Sequence, residues 1–385
     1  MIDFGRFIAG PYCAMLLADW GADVIRVDRR QGSEDRYTGP VTEGGEGGAF
    51  LSLNRNKRSL TLDSSQPGAA EVIRRLAKNA DVVVANLPIR VLRKMGLDYD
   101  DLRSVNPGIV LARISAFGPD GPYAQRPGFD TIAQAMTGAM SLTGFPDTPI
   151  RSVVSFEDYG TALHTAFGVM VALYHRAKTG KGQVVDGSLL ATGVTFMQAL
   201  LAEKSVTGIE RTSRGNAGFF TAPADTYRTV DGWITVQVIG PEMFARWAKL
   251  VGRGELVEDP RFADDLLRAD NRETIAHAME AWLEGRTTAQ ALAELESVRL
   301  PAGPVLGLAQ VLEDPQVKAR ELLQYVDYPG APEAVPLANP AVRLSATPGG
   351  IRHRAPTLGE HTDEILGELG YSEAEIVELR MAKVV

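Results

Sequence analysis

Two adjacent acids, Glu157 and Asp158, stand between an extended run at 152–156 and a long apolar-periodic segment containing Leu163, Phe167, Met170, Ala172 and Leu173. Gly160 lets the chain turn here, so Asp158 is expected at a helix entrance. A carboxylate in a first helical turn faces unpaired backbone N–H groups and the positive end of the helix dipole, and on that ground it should stay ionised at neutral pH. Such a group is a plausible nucleophile. By position alone an aspartate at a helix start is more often an N-cap than a catalyst, and Glu157 reads as a helix-start charge. Other chemistries lack their residues. His164, His175, His277, His353 and His361 have no metal-ligand spacing, and the chain contains neither a GxxxxGK[ST] phosphate loop nor HExxH. No GxGxxG follows a predicted strand, which argues against a NAD-dependent dehydrogenase.

The elements that must hold these acids alternate. Short β-branched runs predict strands at 1–4, 23–28, 59–63, 81–85 and 109–114, and amphipathic segments predict helices at 10–20, 67–79 and 88–95. That alternation predicts an α/β fold with a mainly parallel, nucleotide-fold-like sheet. Pro11 suits a first helical turn, and Gly21 suits the position just past the helix end. The polar, glycine-rich stretch 32–48 reads as a surface loop rather than a packed element. After a helix predicted at 189–206 the composition shifts. A hairpin follows, with strands at 225–229 and 233–238 around an Asp231-Gly232 turn, and then a helical region to about 321. These residues predict a second, smaller α+β domain.

Composition sets the class. The 385 residues are 45% hydrophobic and 23% charged, enough for one large or two moderate domains. A net charge of -8 and a pI near 5.3 argue against general affinity for nucleic acid or anionic membranes. Cys13, the single cysteine, excludes an intrachain disulfide and lies in an apolar helical run, where a packed thiol is expected; this suits a reducing cytoplasm. No apolar stretch reaches membrane-spanning length, and no basic region followed by an apolar signal core opens the chain.

Several blocks, read in order, carry a resemblance: IAGPYCAMLLADWGADVIRVDRR (8–30), NRNKRSLTLD (54–63), ADVVVANLPIRVLRKMGLDYDDL (80–102), RPGFDTIAQAMTGAMSLTG (126–144), TGKGQVVDGSLL (179–190), LPAGPV (300–305) and APTLGEHTDEILGELG (355–370). Together they resemble the class III CoA-transferase family (CaiB/BaiF type), to which formyl-CoA transferase belongs, over essentially the whole chain. The resemblance implies an acyl-CoA:carboxylate CoA-transferase in which Asp158 forms an acyl anhydride and then an aspartyl-CoA thioester. Acyl-CoA and a carboxylate are then its substrates, and no permanently bound cofactor or metal is implied. It further implies a large CoA-binding domain of residues 1–206 and 336–385, a smaller domain of 207–335 with linkers, and an interlocked homodimer. Ile8, Arg29, Leu62, Asn86, Lys94 and Met95 fall on family CoA-contact positions, Lys94 replacing an arginine there. Phe129 falls by the acyl group; where the family often carries a basic residue just ahead of the GFD triplet this chain has Pro127, which leaves nearby Arg126 for the substrate carboxylate, and Gly215 and Asn216 lie where formyl-CoA transferase has a longer glycine-rich loop over the active site.

Two departures bear on function. Ile8 and Phe129 stand where the formyl-specific enzyme carries glutamine and tyrosine, so the pocket is expected to take an acyl group larger and less polar than formyl. The α-methylacyl-CoA racemase branch shares the fold and is the alternative reading. It uses a histidine where this chain has Phe129, and phenylalanine cannot exchange a proton.

Overall fold

The five β-branched runs and one further strand join one parallel sheet in the computed structural model of the chain, which describes residues 1–385. They are β1 (Ile2–Asp3), β2 (Val24–Asp28), β3 (Lys57–Thr61), β4 (Val82–Ala85), β5 (Val110–Ser115) and β6 (Val184–Ser188), in the order β3-β2-β1-β4-β5-β6. Successive side chains turn to opposite faces, and both faces are covered. Ile2, Val27, Leu60, Val83 and Leu111 pack with α2 (Ala69–Asn79), while Val82, Val84, Val110 and Ala112 pack with α1 (Ala9–Asp19), Val169 and Ala172. Burial on both sides is why these strands read as unbroken apolar runs. Cys13 lies in this packing with no exposure, and burial pushes its thiol up to about 12.

The strand order reverses direction between β1 and β4. In an open parallel sheet the chain leaves both strands there in opposite senses, opening a crevice beyond their C-terminal ends. Three further helices line that edge or return from it: α3 (Ile89–Lys94), α4 (Asp130–Met136) and α5 (Phe156–Thr179), the last being the crossover from β5 to β6.

Several local expectations are corrected. Residues 152–155 pair with no strand, and α5 begins at Phe156, so Gly160 lies inside the helix instead of at a turn. A glycine inside a helix is disfavoured by about 0.5–1 kcal/mol relative to alanine. It is required here because a Cβ would meet the Phe196 ring at 2.5 Å and Thr192 at 2.9 Å. The expected helix 189–206 is two helices, α6 (Leu189–Phe196) and α7 (Gln198–Thr207), meeting at Met197. Strand β6 had no signal because Asp186 and Gly187 interrupt its apolar residues; it is an edge strand tied by an Arg113–Asp186 ion pair at 2.6 Å. The loop 32–48 contributes buried charges through a short turn at Glu34–Arg36, where Asp35 and Arg36 face inward.

The chain divides into two compact units, Met1–Ala139 with Ser152–Ile209 and Gln316–Val385, and Met140–Arg151 with Glu210–Pro315. The first unit also contains the antiparallel pair Leu323–Val326 and Val335–Ala338. In the second, the hairpin Ala224–Arg228 and Trp233–Gln237 forms as its D-G turn predicts and gains Ala302–Pro304 as a third strand. Phe244, Trp247, Phe262, Met279 and Leu295 fill its core.

Candidate active site

Helix α5 starts without a local cap. Ser155 occupies the N-cap position and its side chain accepts no bond from the helix. The acceptor comes from α4: Asp130 Oδ1 receives the backbone N–H of Glu157 at 2.9 Å and of Asp158 at 3.1 Å. Its other oxygen receives Gln134 Nε2 at 2.5 Å, and Gln134 Oε1 in turn accepts the N–H of Ser152 at 2.9 Å. Asp130 and Gln134 are both buried. The Asp158 carboxylate, half-buried and bonded to nothing in the chain, is therefore not the helix cap.

This arrangement corrects the expectation of a comfortably ionised Asp158. Burial, then the negative charges of Asp130 and Glu157, push its carboxyl up to about 7. The N–H donors that would have held it down are spent on Asp130. Glu157 is not a solvated helix-start charge either: it is fully buried, accepts only Thr137 Oγ1 at 3.2 Å, and its Oε2 has no partner. Burial pushes Glu157 to about 7 as well. Gly193 makes room for it, since a Cβ there would lie 2.2 Å from Glu157 Oε1.

Two aromatic pairs flank these elements. Tyr12 of α1 meets Tyr159 edge to face at 4.9 Å, joining α1 to the start of α5. Phe129, the residue before Asp130, meets Phe7 edge to face at 5.4 Å, and both rings are exposed. Phe7 has φ +60°, a strained value for a bulky residue. Its neighbour holds it there. The Arg6 N–H donates to Asn86 Oδ1 at 2.8 Å while Asn86 Nδ2 donates to the Arg6 carbonyl at 2.8 Å, lacing β1 to β4 across the switch point.

Beneath these ends lies a buried polar network. Lys57 bonds Asp3 at 2.7 Å; Arg26 bonds Asp28 at 2.9 Å and Asp35 at 2.8 Å; Arg36 bonds Asp28 at 2.8 Å. Asn54 Oδ1 accepts from both Arg26 and Lys57, closing the network. Burial pushes Lys57 down to about 8 despite Asp3, and Arg26 and Arg36 outweigh burial at Asp28 to hold it at about 2.

Residues 1–362 match CoA-transferase family III. The chain belongs to that family. Over its whole length it is 35% identical to the succinyl-CoA–D-citramalate CoA-transferase of Chloroflexus aurantiacus, covering 96% of that protein. It is likewise 33% identical to the human succinyl-CoA:glutarate CoA-transferase, covering 88% of it. Its fold is similar to the crystal structure of a CaiB/BaiF family protein from Brucella suis, with a TM-score of 0.84, 35% identity, and 96% and 97% of the two chains covered.

In this CoA-transferase most sequence-predicted contact positions lie along one edge. Ile8, Arg29, Leu62 and Asn86 directly follow or closely succeed the C-terminal ends of β1, β2, β3 and β4, and Lys94 and Met95 end α3 beyond β4. Their environments differ. Lys94 is exposed, and Arg29 is exposed and paired with Glu34 at 2.9 Å. Leu62 is buried and its N–H donates to the Asp28 carbonyl at 2.8 Å, and the Asn86 carboxamide is already committed to Arg6. Ile8 is half-buried at the start of α1, and Met95 packs on the core. Arg126 is exposed and stacks on Tyr123 at 4.1 Å. Gly215 and Asn216 belong to the second unit, where Gly215 has φ +68° and donates to the Gly144 carbonyl at 2.6 Å. The sequence reading missed Asp130, Gln134, Phe7 and Tyr12. A signal was present for the first two, which are spaced i, i+4 on one short helix before the acidic pair.

No helix is long and apolar enough to cross a membrane.

Proposed function

We propose that this CoA-transferase moves CoA from an acyl-CoA donor to an acceptor carboxylate, with Asp158 as the nucleophile and succinyl-CoA as the donor. The observation that carries the reading is the free Asp158 carboxylate at a helix start that another acid caps. Both similar transferases are named for succinyl-CoA, which supports that donor, and a short dicarboxylic acid is the matching acceptor class.

The steps balance without a net proton. An Asp158 oxygen attacks the thioester carbon, the C–S bond breaks, and CoA departs as thiolate, leaving an acyl anhydride on the enzyme. The thiolate then attacks the anhydride at the Asp158 carbonyl, the C–O bond breaks, and the donor acid leaves with that oxygen. The aspartyl-CoA thioester so formed is attacked by the acceptor carboxylate, and the thiolate finally takes the acceptor's acyl group and restores Asp158. One side chain thus splits a difficult exchange into easier displacements, and holding thiolate and acid together contributes about 7–11 kcal/mol.

Arg29 and Lys94 supply charge for the CoA phosphates, Ile8, Leu62, Asn86 and Met95 frame the rest of the carrier, and Phe129 with Phe7 walls the acyl group. Arg126 meets a substrate carboxylate, and the assignment of Gly215 and Asn216 to the substrate rests on the family resemblance alone. Phe129, lacking a titratable group, weighs against racemase chemistry. The exposed apolar residues of α5, Leu163, Phe167, Met170 and Tyr174, support association of two copies into a homodimer.

The test is exchange between a panel of acyl-CoAs and carboxylates followed by mass spectrometry, with hydroxylamine trapping during turnover. A tag on Asp158 is expected. Label confined to another residue, or rapid entry of solvent deuterium at C2 of a 2-methylacyl-CoA, would overturn the reading.

A further inference from the structure

The start of α5 is held from outside, by a pair of side chains to which the reaction gives no direct part. Asp130 and Gln134 lie one turn apart on α4, both buried, and bond each other at 2.5 Å. Between them they engage four backbone groups of one short segment: Asp130 Oδ1 takes the N–H of Glu157 and Asp158, Gln134 Oε1 takes the N–H of Ser152, and Gln134 Nε2 reaches the Val154 carbonyl at 3.5 Å. Resting on the reading of Asp158 as nucleophile, we propose that Asp130 and Gln134 are its positioning residues, a clasp that sets the 152–158 backbone and keeps the helix-start N–H groups off the nucleophile's own carboxylate.

The physical argument concerns competition for two donors. The N–H groups of a first helical turn seek an acceptor, and an acid side chain nearby ordinarily supplies it. Were they to close on Asp158, its negative charge would be stabilised, its basicity lowered, and its oxygens turned back toward the helix instead of toward a thioester. Asp130 takes both donors first. It also leaves a like charge beside Asp158, which favours transferring that charge to the departing thiolate. The titratable groups facing Asp158 are Asp130 from α4, Glu157 and Tyr159 from α5, and, through Tyr159, Tyr12 from α1. None of the charges acting on Asp158 is positive, so the clasp has no counter-ion to compete with.

The test uses the full-length chain and compares wild type with Asp130→Asn, Asp130→Ala and Gln134→Ala for exchange from succinyl-CoA, for the pH profile of kcat/KM, and for hydroxylamine tagging at position 158. Asp130→Asn keeps an oxygen for the two N–H groups but removes the charge. Its acid limb should move to lower pH, because one of the influences raising Asp158 is gone. Asp130→Ala and Gln134→Ala should lower kcat about 100-fold while KM for the acyl-CoA changes less than about three-fold, as expected when geometry at the reacting atom is lost. A purely structural role would lower Tm yet leave the acid limb and the turnover per folded molecule unchanged, and that result overturns the proposal with Asp158 still tagged. A wild-type enzyme that never acquires the tag at 158 ends both readings together. If Asp130→Ala does not fold, the shift in Asp130→Asn and the kcat loss in Gln134→Ala decide.

Discussion

At the scale of single residues, the difference between a cap and a nucleophile rests on which acid the helix N–H groups choose. Asp158→Ala is expected to abolish exchange without lowering Tm, because the carboxylate makes no bond within the chain; circular dichroism melting and mass spectrometry of product check this. Asp158→Cys should fold equally well and present a thiol that alkylates at the substrate site. As the proposed nucleophile Asp158 would work as the anion, and with its carboxyl at about 7, kcat/KM should fall as pH drops through about 7. Glu157 reports differently. Its carboxyl is raised from 4.5 to about 7 in the fold, so the folded state holds its proton more tightly than the unfolded chain does. Its contribution is complete below about pH 4.5 and is lost as pH rises to about 7. Glu157→Gln should flatten the decline in Tm across that window, and an unchanged slope would show that another group titrates there. The local sequence placed both acids at a helix start. It could not reveal that Glu157 is buried beside Gly193 or that Asp130 closes the helix, because both depend on neighbours far along the chain.

At the scale of elements, the polar floor under β1–β3 explains why a parallel sheet carries charged residues in its interior. Lys57 and Asp3 are both fully buried and bonded at 2.7 Å. Lys57→Ala leaves a buried carboxylate without its partner and should destabilise by about 3–5 kcal/mol, measurable as a drop in denaturation midpoint. Lys57 with Asp3 replaced together should recover part of that loss. Strands β2 to β5 and helices α1 and α2 were legible to within about two residues because of their apolar patterns and, for α1 alone, because Pro11 and Gly21 mark its ends. The network was not legible. Nothing in the local pattern of Asn54, Arg55, Asn56 and Lys57 announces burial, which follows from Asp3, Asp19 and Arg26 that the sheet brings to them. Gly160 misled for a related reason: its missing side chain answers to Phe196 on another helix, not to a local turn.

At the scale of the whole molecule, the apolar period read from Leu163 to Leu173 falls within α5 but does not form one buried face. Ala172 is buried, but Leu163, Phe167 and Met170 face outward, Phe167 with 73% of its surface exposed. An apolar stripe of this length on an otherwise charged protein calls for a partner surface, and the proposed homodimer supplies one. Phe167→Glu should weaken association in sedimentation or light scattering while the monomer keeps its fold; a chain that remains monomeric before mutation would remove the basis for the dimer. The same 24-residue rod, about 36 Å long at 1.5 Å per residue, holds Asp158 at one end and this stripe along its body. Whatever seats the stripe also steadies the reacting end. Specific activity should therefore decline on dilution through the dissociation constant of the dimer, making turnover depend on how much of the protein the solution contains.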